Sequence, residues 1–344
     1  MTSTTASVLP AEWAPQRAIQ LTWPRPDGDF AHMFDAVERC FTDIAVAITR
    51  YEALIVACGD DVDALRQRLL AAGAVGERLH LYPAPADDVW ARDHGPITVF
   101  RGGVPLHLDF VFNGWGGKFD AARDNQITRR LAAQGAWPAA VEPVDFVLEG
   151  GAIESDGRGT LLTTERCLLA PTRNPQFDKQ QIEQRLKTWF GLDRVLWLRH
   201  GDLIGDDTDG HIDTIARFCD ADTIAYQACD DAQDPHYADL KAMECELQAL
   251  RTAGGEPYRL VPLPLPGAIL DADGQRLPAG YPNFLILNGA VLVPTYADPA
   301  DAVALERLRP CFPDRDVIGI DCRALIQQYG SLHCITMQIP ESAA

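Results

Sequence analysis

Residues 283–296 read NFLILNGAVLVPTY, two runs of β-favouring residues joined by Asn288-Gly289. An Asn-Gly pair between such runs is the strongest short-range hairpin signal, because both turn positions need positive φ. Three more stretches share this plan, with Gly or Asp at the turn: residues 97–110 (ITVFRGGVPLHLDF), 151–167 (GAIESDGRGTLLTTERC) and 211–228 (HIDTIARFCDADTIAYQA). Between the hairpins lie helical patterns at residues 31–50, 63–72, 125–134, 178–190, 238–253 and 299–309, with Asp61 and Asp298 placed to cap two of them. A polar residue leads into or lies within each hairpin. Asp93, Glu149, His211, Asn283 and Cys334 follow one another at intervals of 56, 62, 72 and 51 residues. A strand–strand–helix unit recurring about every sixty residues predicts a repeat architecture. Five units in a ring would bring all five polar residues to one axis and leave no free sheet edge. The first strand, near residues 18–23, would then close the ring against the last, near residues 332–339. The competing reading is an ordinary open α/β sheet.

The chain has 344 residues, enough for one large domain or two average ones. No Gly/Ser-rich or charged linker divides it, so residues 1–344 read as a single catalytic domain with about eight flexible residues at the N-terminus. A formal net charge of −19 excludes a nucleic-acid partner, which clustered Lys and Arg would have to recognise. No apolar run approaches the ~20 residues needed to span a bilayer, and no signal peptide is visible, so neither membrane nor export is expected. The nine cysteines form no C-x-x-C pair, which removes zinc ribbons and dithiol redox motifs. Reduced thiols in apolar surroundings fit a cytoplasmic protein.

Four clusters carry chemistry. In DVWARDHGP (88–96), a carboxylate beside an indole suits a planar cation, through paired hydrogen bonds and a cation–π contact. The bland alternative is an Arg92–Asp93 ion pair beside a core Trp90. In EGG (149–151), a Glu ending a buried strand precedes two glycines that permit close approach. The alternative is a bulge with a solvated Glu. In GDDTDGHID (205–213), period-2 alternation sends His211 and Asp213 to one face of a strand. An acid/base beside a carboxylate fits better than a calcium loop or a zinc site, for which ligands are missing. A plain acidic turn is the alternative. In GSLHCIT (330–336), Cys334 occupies the fifth slot of the period; alone, it would be packing filler.

These segments, with LPAEWAPQ, LTWP, DFVFNGWGGKFD and RNP, resemble the agmatine deiminase family, grouped with the bacterial peptidyl-arginine deiminases in the guanidine-modifying superfamily. The likeness spans residues 9–340. It implies a five-bladed α/β propeller (the pentein fold) with pseudo-fivefold ββαβ repeats. It also implies that Cys334 is the nucleophile, that His211 is the acid/base, and that Glu149 orients the imidazole and contacts substrate. By the same matching Asp93 and Asp213 grip the guanidinium, and Trp90 and Trp115 line the pocket. Asn113 and Lys118 fall in a matching segment with no role attached. The substrate implied is agmatine, hydrolysed to N-carbamoylputrescine and ammonia in polyamine synthesis, with no cofactor or metal and with a homodimer as the common assembly.

The chemistry explains these residue types. A guanidinium carbon is a poor electrophile until carboxylates in a dry site localise its charge. A free thiol, with a pKa near ~8.5, needs help to ionise at neutral pH. The substrate cation and a charged His211 supply it, and the same His can protonate departing ammonia and then activate water. Rival readings keep the chemistry and change the substrate to free or peptidyl arginine, transfer the amidino group to an amine, or make the chain a non-catalytic binder of guanidinium ligands.

Overall fold

Runs rich in Val, Ile, Leu and Thr form five separate sheets in the computed structural model, which describes residues 7–341. Four sheets contain an antiparallel hairpin followed by a helix and a parallel third strand. They are built on Ile97–Arg101/Val104–Val111, Ile153–Ser155/Thr160–Thr164, Ala216–Asp220/Thr223–Gln227 and Leu285–Ile286/Ala290–Thr295. The predicted Asn288-Gly289 turn joins the last pair. In the fifth sheet the hairpin partners come from opposite ends of the chain. Thr336–Pro340 runs antiparallel to Gln16–Thr22, with Thr336 opposite Leu21, and Ala53–Cys58 and Leu79–Pro83 continue the sheet in parallel. The expected meeting of first and last strands therefore occurs, and no individual sheet closes on itself.

Helices cover these sheets through apolar stripes. Phe34–Tyr51 buries Val37, Phe41, Ile44 and Ile48 at helical spacing, in one cluster with Leu54, Val56 and Ile320. Asp61 caps Val62–Ala71 by accepting from Ala64 N at 3.1 Å. Asp298 accepts from Ala300 N at 2.8 Å, one residue ahead of the formal cap. The helix expected over 238–253 stops at Ala249, because Leu250 turns to extended backbone and Arg251 bridges to Pro257 around the Gly254-Gly255 turn. Most of the N-terminal stretch expected to be flexible lies outside the described residues. Within the described residues, Ser7–Val8 form a short strand paired with Arg101 and Phe100. No helix among the described residues is long and apolar enough to cross a membrane.

Candidate active site

Each of the five polar residues sits on a turn or an irregular segment shortly ahead of a strand. This corrects the expectation for His211 and Asp213, which were assigned to one strand face. His211 instead precedes a 3-10 turn, Ile212–Thr214, and the strand begins only at Ala216. Gly205 and Gly210 take positive φ and Asp209 is left-handed, so the acidic run curls before it can extend. Thr208 Oγ1 accepts from His211 N at 3.1 Å, and Thr214 Oγ1 donates to His211 O at 2.8 Å, which locks the turn.

Asp93 lies on the buried helical turn Ala91–His94. It does not pair with Arg92, which disposes of the bland ion-pair reading. Its Oδ2 accepts from Trp115 Nε1 at 2.9 Å and its Oδ1 from Gly151 N at 3.0 Å, with His211 Nδ1 at 3.7 Å. Trp115 is left-handed (φ 53°), flanked by Gly114 and Gly116 at positive φ. Asn113 pins this loop: its side chain accepts from Gly116 N at 2.8 Å and donates to Thr172 O at 3.0 Å. Lys118 is occupied by Asp207 O and Asp209.

Gly151 shows how tightly the groups converge. A Cβ there would lie 2.6 Å from His211 Nδ1, 2.9 Å from Asp93 Oδ1 and 3.2 Å from Asp213 Oδ2. Only glycine fits. Glu149, fully buried, accepts from Arg173 Nε at 2.8 Å through Oε1, and its Oε2 has no partner. Asp213 Oδ1 and His211 Nε2 are likewise unpartnered and buried. Cys334 Sγ lies 4.0 Å from Asp213 Oδ2 and 3.3 Å from the Asn283 amide. Trp90 donates to Asp88 at 2.9 Å and packs its ring against Gly330, where a Cβ would collide with it.

A cavity of about 460 Å³, including its mouth, reaches Asp93 and Cys334, while Glu149, His211 and Asp213 are not part of its lining. Asp93, Trp90, Trp115 and Cys334 line its floor and walls, and Asp29, Asp88 and Asp207 also line it; no Lys or Arg does. Burial pushes Asp88 up to about 7, Asp207 up to about 6 and Asp93 up to about 6. Burial works against a charge on His211, but Asp93, Cys167 and Glu149 outweigh it and raise the imidazole well above its ordinary value. Burial, with Asp213 and Asp93 nearby, also drives the Cys334 thiol well above its usual range. The thiol is therefore protonated at neutral pH.

Beneath the site lies a buried ionic cluster that sequence reasoning missed. His333 Nδ1 is 2.7 Å from Asp213 Oδ2, and its Nε2 is 2.7 Å from Glu12 Oε2. Ionised carboxylates only accept, so two such contacts require one proton more than a neutral imidazole supplies. Burial and the adjacent Arg217 and Arg92 lower the hold of His333 on that proton. Burial opposes ionisation of Asp213 and Glu12, yet His333 holds Asp213 low, and Arg217 with His333 holds Glu12 well below the carboxylate range. Arg217, itself fully buried, pairs with Glu12 at 2.7 Å and with Glu154. Glu12, Glu154 and His333 could in principle hold a metal, but Arg217 already supplies the positive charge there. The available signal was an arginine within the apolar strand run TIARFC and an acid in LPAEWAP.

Over residues 8–340 the chain matches the Porphyromonas-type peptidyl-arginine deiminase family. It is 35% identical to the agmatine deiminase of Stutzerimonas stutzeri (strain A1501), with 96% of this chain and 95% of that protein aligned. Its structure resembles a C. jejuni agmatine deiminase variant with substrate bound, at TM-score 0.91 and 32% identity over 98% of this chain and 97% of that one. It also resembles a Porphyromonas gingivalis protein bearing a provisional arginine deiminase name, at TM-score 0.91 and 54% identity over 98% and 99%. Agreement over nearly the full length, in sequence and in structure, assigns the chain to the Porphyromonas-type peptidyl-arginine deiminase family.

Proposed function

We propose that this chain is an agmatine deiminase, hydrolysing agmatine to N-carbamoylputrescine and ammonia through a covalent amidino-cysteine intermediate. One observation carries the reading. The cavity is lined by the Cys334 thiol, by four acids (Asp29, Asp88, Asp93 and Asp207) and by no basic side chain, and the buried Asp213 carboxylate lies 4.0 Å from that sulfur. In this reading Asp93, Glu149 and Asp213 accept the guanidinium N–H groups, and the cation stabilises the Cys334 thiolate so that the thiol proton leaves to solvent. The thiolate attacks the guanidinium carbon. Charged His211 gives its proton to the departing nitrogen, and ammonia leaves. Neutral His211 then takes a proton from water, whose oxygen attacks the carbon and releases the thiolate and the ureido product. Trp90 and Trp115 flank the alkyl chain. Five sheets of one plan, with the first and last strands paired, support a five-bladed propeller that forms one catalytic domain around this axis. The nine free cysteines, eight of them buried, favour a reducing, cytoplasmic setting.

The lining separates agmatine from arginine. Agmatine ends in an ammonium, which suits Asp29, Asp88 and Asp207; the α-carboxylate of arginine would meet like charge and find no basic lining residue. Ammonia release is measured with agmatine, arginine and a C-terminal-arginine peptide. Agmatine should exceed arginine in kcat/KM by on the order of 10²-fold or more, since like charges brought together cost several kcal/mol. A preference for arginine, as the name of the P. gingivalis relative implies, would overturn the substrate assignment and leave the chemistry standing.

The pH profile follows from the same groups. Asp93 must be ionised to grip the cation, so kcat/KM falls as pH drops through about 6. His211 must be charged to act as acid, so activity falls again only above its raised pKa. A profile flat from about pH 5 to about pH 7 would contradict this arrangement.

A further inference from the structure

The Glu149 carboxylate, the Cys167 thiol and an imidazole nitrogen of His211 lie within 4.8 Å of one another, and all three residues are buried. Cys167 belongs to the helical turn Glu165–Leu168, which Thr164 caps by accepting from Cys167 N at 3.2 Å. The hydrolysis described above has no use for a second thiol. Glu149 Oε2 and His211 Nε2 both lack any hydrogen-bond partner although their residues are 0% and 1% exposed. These two polar atoms, beside a thiol that itself helps hold the His211 proton, form a donor set of one oxygen, one nitrogen and one sulfur. Calcium and magnesium take oxygen shells, whereas zinc accepts this mixture. A carboxylate also stands near the imidazole: Asp93 Oδ1 is 3.7 Å from His211 Nδ1.

We propose that Glu149, Cys167 and His211 form an inhibitory site for a thiophilic divalent cation of the zinc class. The proposal rests on the reading of His211 as proton carrier, because the ion stops turnover by occupying that imidazole. A bond forms from the metal to the Cys167 sulfur as the thiol proton leaves to solvent, and an imidazolium proton leaves too where His211 is charged. Water completes a four-coordinate shell. Occupancy therefore tightens as pH rises.

Cobalt(II) tests the site on the full-length protein, because a cobalt–thiolate bond gives a near-ultraviolet charge-transfer band independent of turnover. The band is expected in the wild type and in Cys334→Ser, absent in Cys167→Ser, and displaced by zinc. Zinc should inhibit ammonia release from agmatine by the wild type, and a chelator should restore it. Absence of the band in the wild type overturns the proposal. So does its survival in Cys167→Ser, or its loss in Cys334→Ser, which would put the ion on the nucleophile. Glu149→Gln keeps the thiol and should weaken cobalt binding by roughly 10–100-fold; unchanged affinity also overturns the site, and this variant decides if Cys167→Ser fails to fold. A protein that hydrolyses agmatine and shows no band loses the metal site alone, whereas one that shows the band and releases no ammonia loses the proposed reaction.

Discussion

Cys334→Ala lowers kcat on agmatine on the order of 10⁶-fold, to the background rate, while the substrate still binds. Removing a nucleophile eliminates the covalent route, and effects of that order are seen when such a group is deleted. Binding survives because the grip belongs to other residues. Asp93 keeps its bonds from Trp115 and Gly151, Glu149 keeps Arg173, and Asp213 keeps His333. The change removes one sulfur beside the Asn283 amide, so folding is little disturbed. Kinetics and calorimetry on one preparation separate the two effects. Residual turnover above about one per cent of wild type would mean that another group starts the reaction, because acid/base transfer and positioning alone are worth far less than this loss.

The second large effect concerns stability. Arg217→Met costs about 3–5 kcal/mol, because it strands Glu154 as a buried acid without its ion-pair partner and takes from Glu12 its largest stabilising charge, leaving it His333. The guanidinium also donates to Phe284 O at 2.6 Å and lies 4.9 Å from the Phe284 ring, so its loss opens a hole in a packed region. Replacing Glu12 and Glu154 together with Arg217 by apolar residues should recover part of the loss, since the penalty comes from the unmatched charges. Chemical denaturation of the single and combined variants reads both changes. A single variant within about 1 kcal/mol of wild type would show that the cluster is solvated in practice, as an exposed ion pair would be.

The contrast between these predictions shows which features could be read from the sequence. Asp93, Glu149, His211, Asn283 and Cys334 announced themselves because each precedes a hairpin, and hairpins have local signatures such as Asn288-Gly289. Their convergence follows from the repeat, which is also a pattern along the chain. The geometry that delivers His211 and Asp213 was misread, because strand periodicity cannot register a run of positive-φ residues at 205, 209 and 210. Glu12, Arg217 and His333 were missed for a different reason. Their contacts join positions 205 and 321 residues apart, and no local rule pairs an acid near one end with an arginine in a central strand. Cys167 is one of nine cysteines with no distinguishing local pattern, and its neighbours are visible only in three dimensions.

The pairing of Thr336–Pro340 with Gln16–Thr22 governs how the protein is made. A ribosome adding 5–20 residues per second releases Gln16–Thr22 on the order of tens of seconds before its neighbour exists. During that interval the fifth sheet shows an unpaired edge, and Glu12 has yet to meet His333. The thiol arrives on the same closing segment, at position 334. An unfinished chain thus carries the acids of the cavity without the sulfur, so reactivity toward guanidinium compounds begins only when the last strand docks.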